Sequence, residues 1–153
     1  MTTVKEALAH SDIFKGLPDE WLVEIGELVE PEEYPAKEYL FIEGAEPKDM
    51  YIVQVGKVAM DLSVSPIPGV GNQTTVDTLT RGQTCGWSSV VGQPYSMTAR
   101  CVDPVGVLAI NGVRLRSLLD SKPEIGYKVM ESMAWVVVSR LRNIRMATRM
   151  LNR

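Results

Sequence analysis

Between Tyr39 and Ile110 the hydrophobic period of the chain is that of β-structure, and turn residues break it about every 8–12 positions. Tyr39-Leu40-Phe41-Ile42 reads as a strand and Glu43-Gly44-Ala45-Glu46-Pro47 as the turn after it. Met50 to Val55 is the next strand, stopped by Gly56, and Lys57 to Val64 alternates apolar with polar residues. Ser65 to Asn72 holds two Pro and two Gly and is expected to be a loop. Thr74 to Thr80 alternates again before the Arg81-Gly82 turn. Met97 to Val102 and Val105 to Ile110 are further β-rich runs, split by Asp103-Pro104. Short strands so spaced restrict the chain to a β-sandwich or barrel.

Helical patterns flank that region. Val4, Leu8 and Ile13-Phe14 are apolar, and Ser11-Asp12 suits a capped turn. Leu17-Pro18-Asp19-Glu20 opens a second helix: proline is tolerated in a first turn, and the two acids favour its positive end. Trp21, Leu22, Ile25, Leu28 and Val29 form its apolar stripe, and Pro31 is expected to stop it. Asn111 caps a short helix through Leu119, and Pro123-Glu124 opens a longer one running nearly to Arg153. Along it Met130, Ala134, Val137, Leu141, Ile144, Thr148 and Leu151 recur at steps of four and three, a seam suited to a partner helix. Ile125, Val129, Met133 and Val136 widen the stripe, so its first half is expected to rest on the β-region as well. Homodimerisation through this helix is the favoured reading; the alternative is a monomer with one amphipathic helix.

At 153 residues the chain is expected to be a single domain. Residues 1–31 are read as N-terminal helices, 32–110 as β-structure and 111–153 as C-terminal helices. The longest apolar run, Met133 to Val138, is far short of the ~20 residues that span a bilayer. With Glu6 close to Leu8 there is no secretory h-region, so a cytoplasmic protein without membrane contact is expected. Cys85, Cys101 and His10 are too few for a disulfide framework or a zinc site, and no metal is expected. The formal charge of −3 divides unevenly. Residues 1–50 carry −9, while five arginines between Arg140 and Arg153 have no acid among them. These are read as a solvated helix face rather than a nucleic-acid contact.

Specific residues now carry a resemblance. Asp12 to Leu22, Tyr39-Leu40-Phe41-Ile42-Glu43-Gly44 and Met50 to Val58 resemble motifs of the cyclic nucleotide-binding domains of the catabolite activator protein (Crp/Fnr-like) family. Gly44 and Gly56 match its structural glycines. The resemblance covers essentially the whole chain and implies a mainly β fold: an eight-stranded jelly-roll barrel with N-terminal helices and a long C-terminal helix. It implies a phosphate cassette over residues 85–101, in which a short helix after a glycine holds the cyclic phosphate with backbone N–H groups. The residues concerned are Gly86, Trp87, Ser88, Ser89, Met97, Thr98 and Ala99.

Two of them depart from the family's pattern. Trp87 stands where its binders have the Glu that accepts from the ribose 2′-hydroxyl. Met97 stands where they have the Arg that pairs with the phosphate. Each lost charge-assisted contact costs about 1.5–3 kcal/mol, so tight cAMP binding is not expected. Arg100 lies at an odd offset from Met97 along a strand and faces the other way. Trp87 is read as stacking on a planar ligand or as filling the vacated space. Met97 is read as a packing residue, Cys85 and Cys101 as inert thiols on neighbouring strands, and His10 as a surface residue. Tyr95 is read either as an exposed aromatic or as a lid.

Without a nucleophile–base pair no catalysis is expected. The family's transcription factors continue beyond the long helix into a helix-turn-helix, so no nucleic-acid contact is expected from residues 1–153 alone. Three functions remain: a regulatory sensor of a small anionic ligand, a weak or non-standard cyclic nucleotide binder, and a ligand-free interaction or dimerisation module. No cofactor is certain, and the downstream protein partner is not identified by the sequence.

Overall fold

Two four-stranded antiparallel sheets pack face to face, as the strand spacing predicts. The computed structural model describes residues 2–63 and 72–151, the last by its backbone only. Helices α1 (Val4–Ala9) and α2 (Asp19–Gly26) come first. Strands β1 (Val29–Tyr34), β2 (Tyr39–Phe41), β3 (Asp49–Val55), β4 (Val58–Ser63), β5 (Gln73–Leu79) and β6 (Thr84–Cys85) follow. After the one-turn helix α3 (Ser88–Val91) come β7 (Thr98–Cys101) and β8 (Val105–Asn111), then α4 (Gly112–Ser121) and α5 (Pro123–Leu151). The sheets run β1–β8–β3–β6 and β2–β7–β4–β5. This is a mainly β jelly roll with flanking helices and a long C-terminal helix.

Strands β3 and β8 are apolar on both faces because each face meets a different core. Met50, Ile52, Leu108 and Ile110 join α1, α2, α4 and α5 in a helical core. Their alternate neighbours Tyr51, Val53, Val107 and Ala109 face the barrel interior with Phe41, Met60 and Ala99 of the opposite sheet. Side chains set the helix boundaries. The Thr3 hydroxyl accepts from the Glu6 N–H at 3.1 Å, and the Asn111 side chain accepts from the Arg114 N–H at 3.0 Å.

The long helix serves both cores. Ile125, Val129, Met133 and Val136 are buried in the helical one, each contributing about 1.5–3 kcal/mol. Ile144 and Ala147, further along, pack against the barrel interior.

Several expectations are corrected. Helix α2 ends at Gly26 rather than at Pro31, and Val29 and Pro31 belong to β1. Pro31 is tolerated there because β1 is an edge strand, whose ladder does not need every N–H. The alternation of Lys57 to Val64 does not appear in burial: Val58, Ala59, Met60 and Asp61 are all buried. Asp61 is covered by Arg100, whose Nε lies 2.9 Å from its carboxylate. Cys85 and Cys101 lie in opposite sheets rather than on neighbouring strands, both facing the barrel interior. The loop expected over Ser65 to Asn72 lies, apart from Asn72, outside the described residues.

Candidate functional site

The residues singled out in the sequence surround a tight turn. Strand β6 delivers the chain to Gly86 at φ +81°, where an added Cβ would lie 2.9 Å from the Asp49 carbonyl oxygen. No side chain fits there without backbone movement. Trp87 precedes α3, and Gly92 at φ +76° closes it in the left-handed region. The hydroxyl of Ser89 donates to the Gly86 carbonyl at 2.7 Å, and its N–H donates to the same oxygen at 3.1 Å. Thr98 Oγ1 accepts from the Glu43 N–H at 2.9 Å. The Ser89 hydroxyl is therefore committed as a donor to the turn's own backbone, while Thr98 serves as an acceptor for the segment after β2.

Side chains close the space over this turn. The Phe41 and Tyr95 rings stack with centroids 4.0 Å apart and an interplanar angle of 7°. The Tyr95 hydroxyl donates to the Asp49 carbonyl at 2.7 Å and accepts from the N–H groups of Asp49 and Lys48 at 3.0 and 3.1 Å. Tyr95 is thus a buried, pinned ring and not an exposed aromatic. Met60 and Met97 complete the lining with Gly86, Trp87, Ser88 and Ser96, around a cavity of about 10 Å³. That is room for about one water. Among the described residues neither lysine nor arginine lines it. Ala99 is fully buried and pairs in register with Phe41 and Met60. Arg100, as its odd offset implies, turns away and pairs with Asp61.

Trp87 borders the cavity but packs with the helical core, and the Arg140 guanidinium lies 5.0 Å from its ring centre. Arg140 was expected on a solvated face; it is only 4% exposed. Its Nη2 donates to the Thr84 carbonyl at 2.7 Å, and its Nε lies 3.1 Å from Asp77 Oδ2. The latter contact is ionic rather than a well-directed hydrogen bond. Asp12 Oδ2 is 3.8 Å away, and its other oxygen accepts from the Thr84 hydroxyl at 2.6 Å. Arg140 Nη1 is buried without a partner. One arginine of α5 thereby touches the first turn, β5, β6 and the cassette tryptophan. The signal was present in the sequence: Arg140 lies seven positions after Met133 and four after Val136, on the buried stripe.

Burial pushes the Cys85 thiol up to about 12, against the opposing pull of the Arg140 charge. The Cys101 thiol is raised by burial too. His10 is exposed, its Nδ1 2.8 Å from the Glu6 carbonyl. Among the described residues no cluster of His, Cys, Asp and Glu could hold a metal ion. Along the expected seam of α5, Met130 and Ile144 are half-buried against the chain's own cores, while Ala134, Val137, Leu141 and Thr148 are exposed. Leu151 is placed in the helix by its backbone alone.

The model of the cyclic nucleotide-binding domain family matches residues 31–122. Over 113 residues, 73% of this chain, the sequence is 32% identical to the potassium channel AKT2 of Oryza sativa subsp. japonica, and it spans 13% of that channel's length. A structure of a candidate cyclic nucleotide-binding protein from Geobacter metallireducens GS-15 is 28% identical, with a TM-score of 0.77, covering 91% of this chain and 98% of its own. The catabolite activator protein of Thermus thermophilus is 23% identical with a TM-score of 0.72, over 93% of this chain and 63% of its own. The cAMP-bound mutant regulatory subunit of a cAMP-independent protein kinase A from Trypanosoma brucei reaches 0.77 at 16% identity, over 97% of this chain and 50% of its own. The last two bear on the fold alone.

Proposed function

This chain belongs to the cyclic nucleotide-binding domain family, and from that premise we propose that it is a non-enzymatic regulatory module with a diverged cassette, not a tight cyclic nucleotide receptor. The observation that carries this reading is the closed cassette: Phe41, Met60, Tyr95 and Met97 leave about 10 Å³ over the Gly86 turn, with no cation among its described lining residues. A phosphate placed there would have to displace a pinned aromatic pair and forgo a charge-assisted contact, at about 1.5–3 kcal/mol for the contact alone. Trp87, in the place of an acceptor for a ribose hydroxyl, offers an indole that is already engaged beneath Arg140.

The output of such a module is α5. It touches both cores and offers Ala134, Val137 and Leu141 to a second copy of the chain or to another protein. A small anionic ligand favouring one position of α5 over another would shift that surface by its differential affinity for the two. The single-domain reading of residues 1–153 and a reducing cytoplasmic setting belong to the same proposal. Both cysteines are free, and no described helix is long and apolar enough to cross a membrane.

A thermal-shift series with cAMP, cGMP and inorganic phosphate at millimolar concentration tests the reading. A ligand at 100 times its dissociation constant adds about 2.7 kcal/mol, which is several degrees for a domain of this size. The expected result is no shift specific to a cyclic nucleotide. A shift of several degrees with cAMP or cGMP, but not with phosphate, overturns it in favour of the weak or non-standard cyclic nucleotide binder.

A further inference from the structure

We infer that the groove between α5 and the first turn, on the far side of Arg140 from the cassette, binds a small molecule through a carboxylate or phosphate group. The groove has a volume of about 380 Å³, within the range of small-molecule sites. It lies outside the cassette cavity and shares none of its lining residues. Arg140, Ser132 and Ser139 approach it from α5 and Lys15 from the turn after α1.

The polar groups there are short of acceptors. Arg140 uses Nε on Asp77 and Nη2 on the Thr84 carbonyl, while Nη1 is buried and unpaired. That atom is out of reach of solvent, and Asp77 Oδ2 is likewise buried without a hydrogen bond, so the donors left open to the groove are those of Lys15, Ser132 and Ser139. Among the described residues no ion pair or hydrogen bond engages the Lys15 ammonium or the hydroxyls of Ser132 and Ser139. Asp12 also lines the groove, but its carboxylate already accepts from the Thr84 hydroxyl and N–H and stands 3.8 Å from Arg140. Asp12 and Asp77 balance Arg140 and Lys15 in charge, and the Lys15 ammonium and the two serine hydroxyls are the groups still able to donate to an arriving oxyanion. Trp135, 70% exposed at the rim, offers an apolar wall to the rest of the ligand. An occupant would bridge the first turn to α5, where the proposed output surface lies. The inference does not depend on whether the cassette binds a nucleotide.

Titration of the full chain with inorganic phosphate and with acetate at constant ionic strength, followed by amide NMR shifts, tests it. Saturable shifts at Ser132, Ser139 and Asn143 are expected with at least one probe. Phosphate alone or acetate alone would name the source of the oxyanion. Lys15→Ala, a surface change, should weaken that binding at least about tenfold, the loss of one charge-assisted contact, and Ser139→Ala should weaken it less. Shifts that never saturate overturn the inference, as do saturating shifts unchanged in Lys15→Ala. Shifts from cAMP at Gly86 to Ser89 and Met97 to Ala99 report on the cassette instead, so failure of the proposed function and failure of this inference are read from different residues.

Discussion

The Arg140 guanidinium lies 5.0 Å from the centre of the Trp87 ring, joining a residue of the long C-terminal helix to the residue after the cassette glycine. Arg140 is buried and Trp87 half-buried, and two carboxylates and a backbone carbonyl share the guanidinium. Contact between the cassette and α5 is therefore made by the chain itself.

Removing that arginine strands the carboxylate of Asp77, whose side chain is only 12% exposed. Arg140→Ala should lower the unfolding free energy in urea by about 3–5 kcal/mol, the usual cost of breaking a buried ion pair from one side. Arg142→Ala, on the exposed face of the same helix, should change it by less than about 0.5 kcal/mol. Equal effects from the two would mean that Arg140 is solvated in solution.

The fold was legible because its signals are local: turn residues between short β-runs, Asn111 ahead of a helix, and a sustained stripe from Ile125 onward. What escaped depends on residues far apart in sequence. Arg140 reads as solvated in the sequence because a run of arginines usually lies on a solvated face. Only the approach of Asp12 and Asp77 makes its burial tolerable. In the sequence, Trp87 reads either as stacking on a ligand or as filling the vacated space, and Met97 as a packing residue. Met97 does line the cavity, but the stacked pair of Phe41 and Tyr95 depends on Tyr95 reaching Asp49, forty-six positions away. Val29 reads as helical because it continues the apolar stripe of Trp21, Leu22, Ile25 and Leu28, with Pro31 as the stop, whereas pairing with β8 makes both part of a strand.

Gly112 opens α4, where alanine would ordinarily gain about 1 kcal/mol of helix propensity. A Cβ there would lie 2.3 Å from the Ser89 carbonyl oxygen and 2.4 Å from its carbon, both backbone atoms of the cassette helix. Gly112→Ala should therefore destabilise the protein by about 1–3 kcal/mol, reversing the sign set by propensity. Gly26→Ala, whose nearest neighbour is a Val4 methyl at 3.5 Å, should be neutral or slightly stabilising. Urea unfolding of the two variants checks both signs.

Folded Cys85 holds its proton up to about pH 12, from an ordinary value of 9.0, and the Tyr34 hydroxyl is likewise raised from 10.0 to about 12. Burial leads both shifts. Between the unfolded and folded values the native state binds more protons than the unfolded chain, so stability falls as pH rises. The contribution of Cys85 is fully present below about pH 9 and is lost through about pH 12, at roughly 1.4 kcal/mol per pH unit within that window. Unfolding midpoints should decline from about pH 9 upward, and less steeply in Cys85→Ala. The same burial predicts that neither cysteine reacts with iodoacetamide at neutral pH until the protein unfolds.

The exposed stripe of α5 gives the last prediction. Ala134, Val137 and Leu141 face solvent in the single chain, with Val137 40% and Leu141 56% exposed. Their spacing of three and four suits a second copy of the same helix. Arg142, Arg145 and Arg149 are exposed along this part of the helix, with no acid between residues 140 and 151 to offset them. In a parallel pair these like charges oppose association, and salt screens them more effectively than it weakens apolar burial. Sedimentation of the chain should therefore show a dimer that tightens as salt rises. Leu141→Glu should give a monomer with an unchanged circular dichroism spectrum, because Leu141 contributes little to the single chain's own core. A dimer that loosens with salt would place the contact on an ionic surface elsewhere. A wild-type chain that stays monomeric at every concentration and salt level would leave α5 as an amphipathic helix whose apolar stripe serves a different protein.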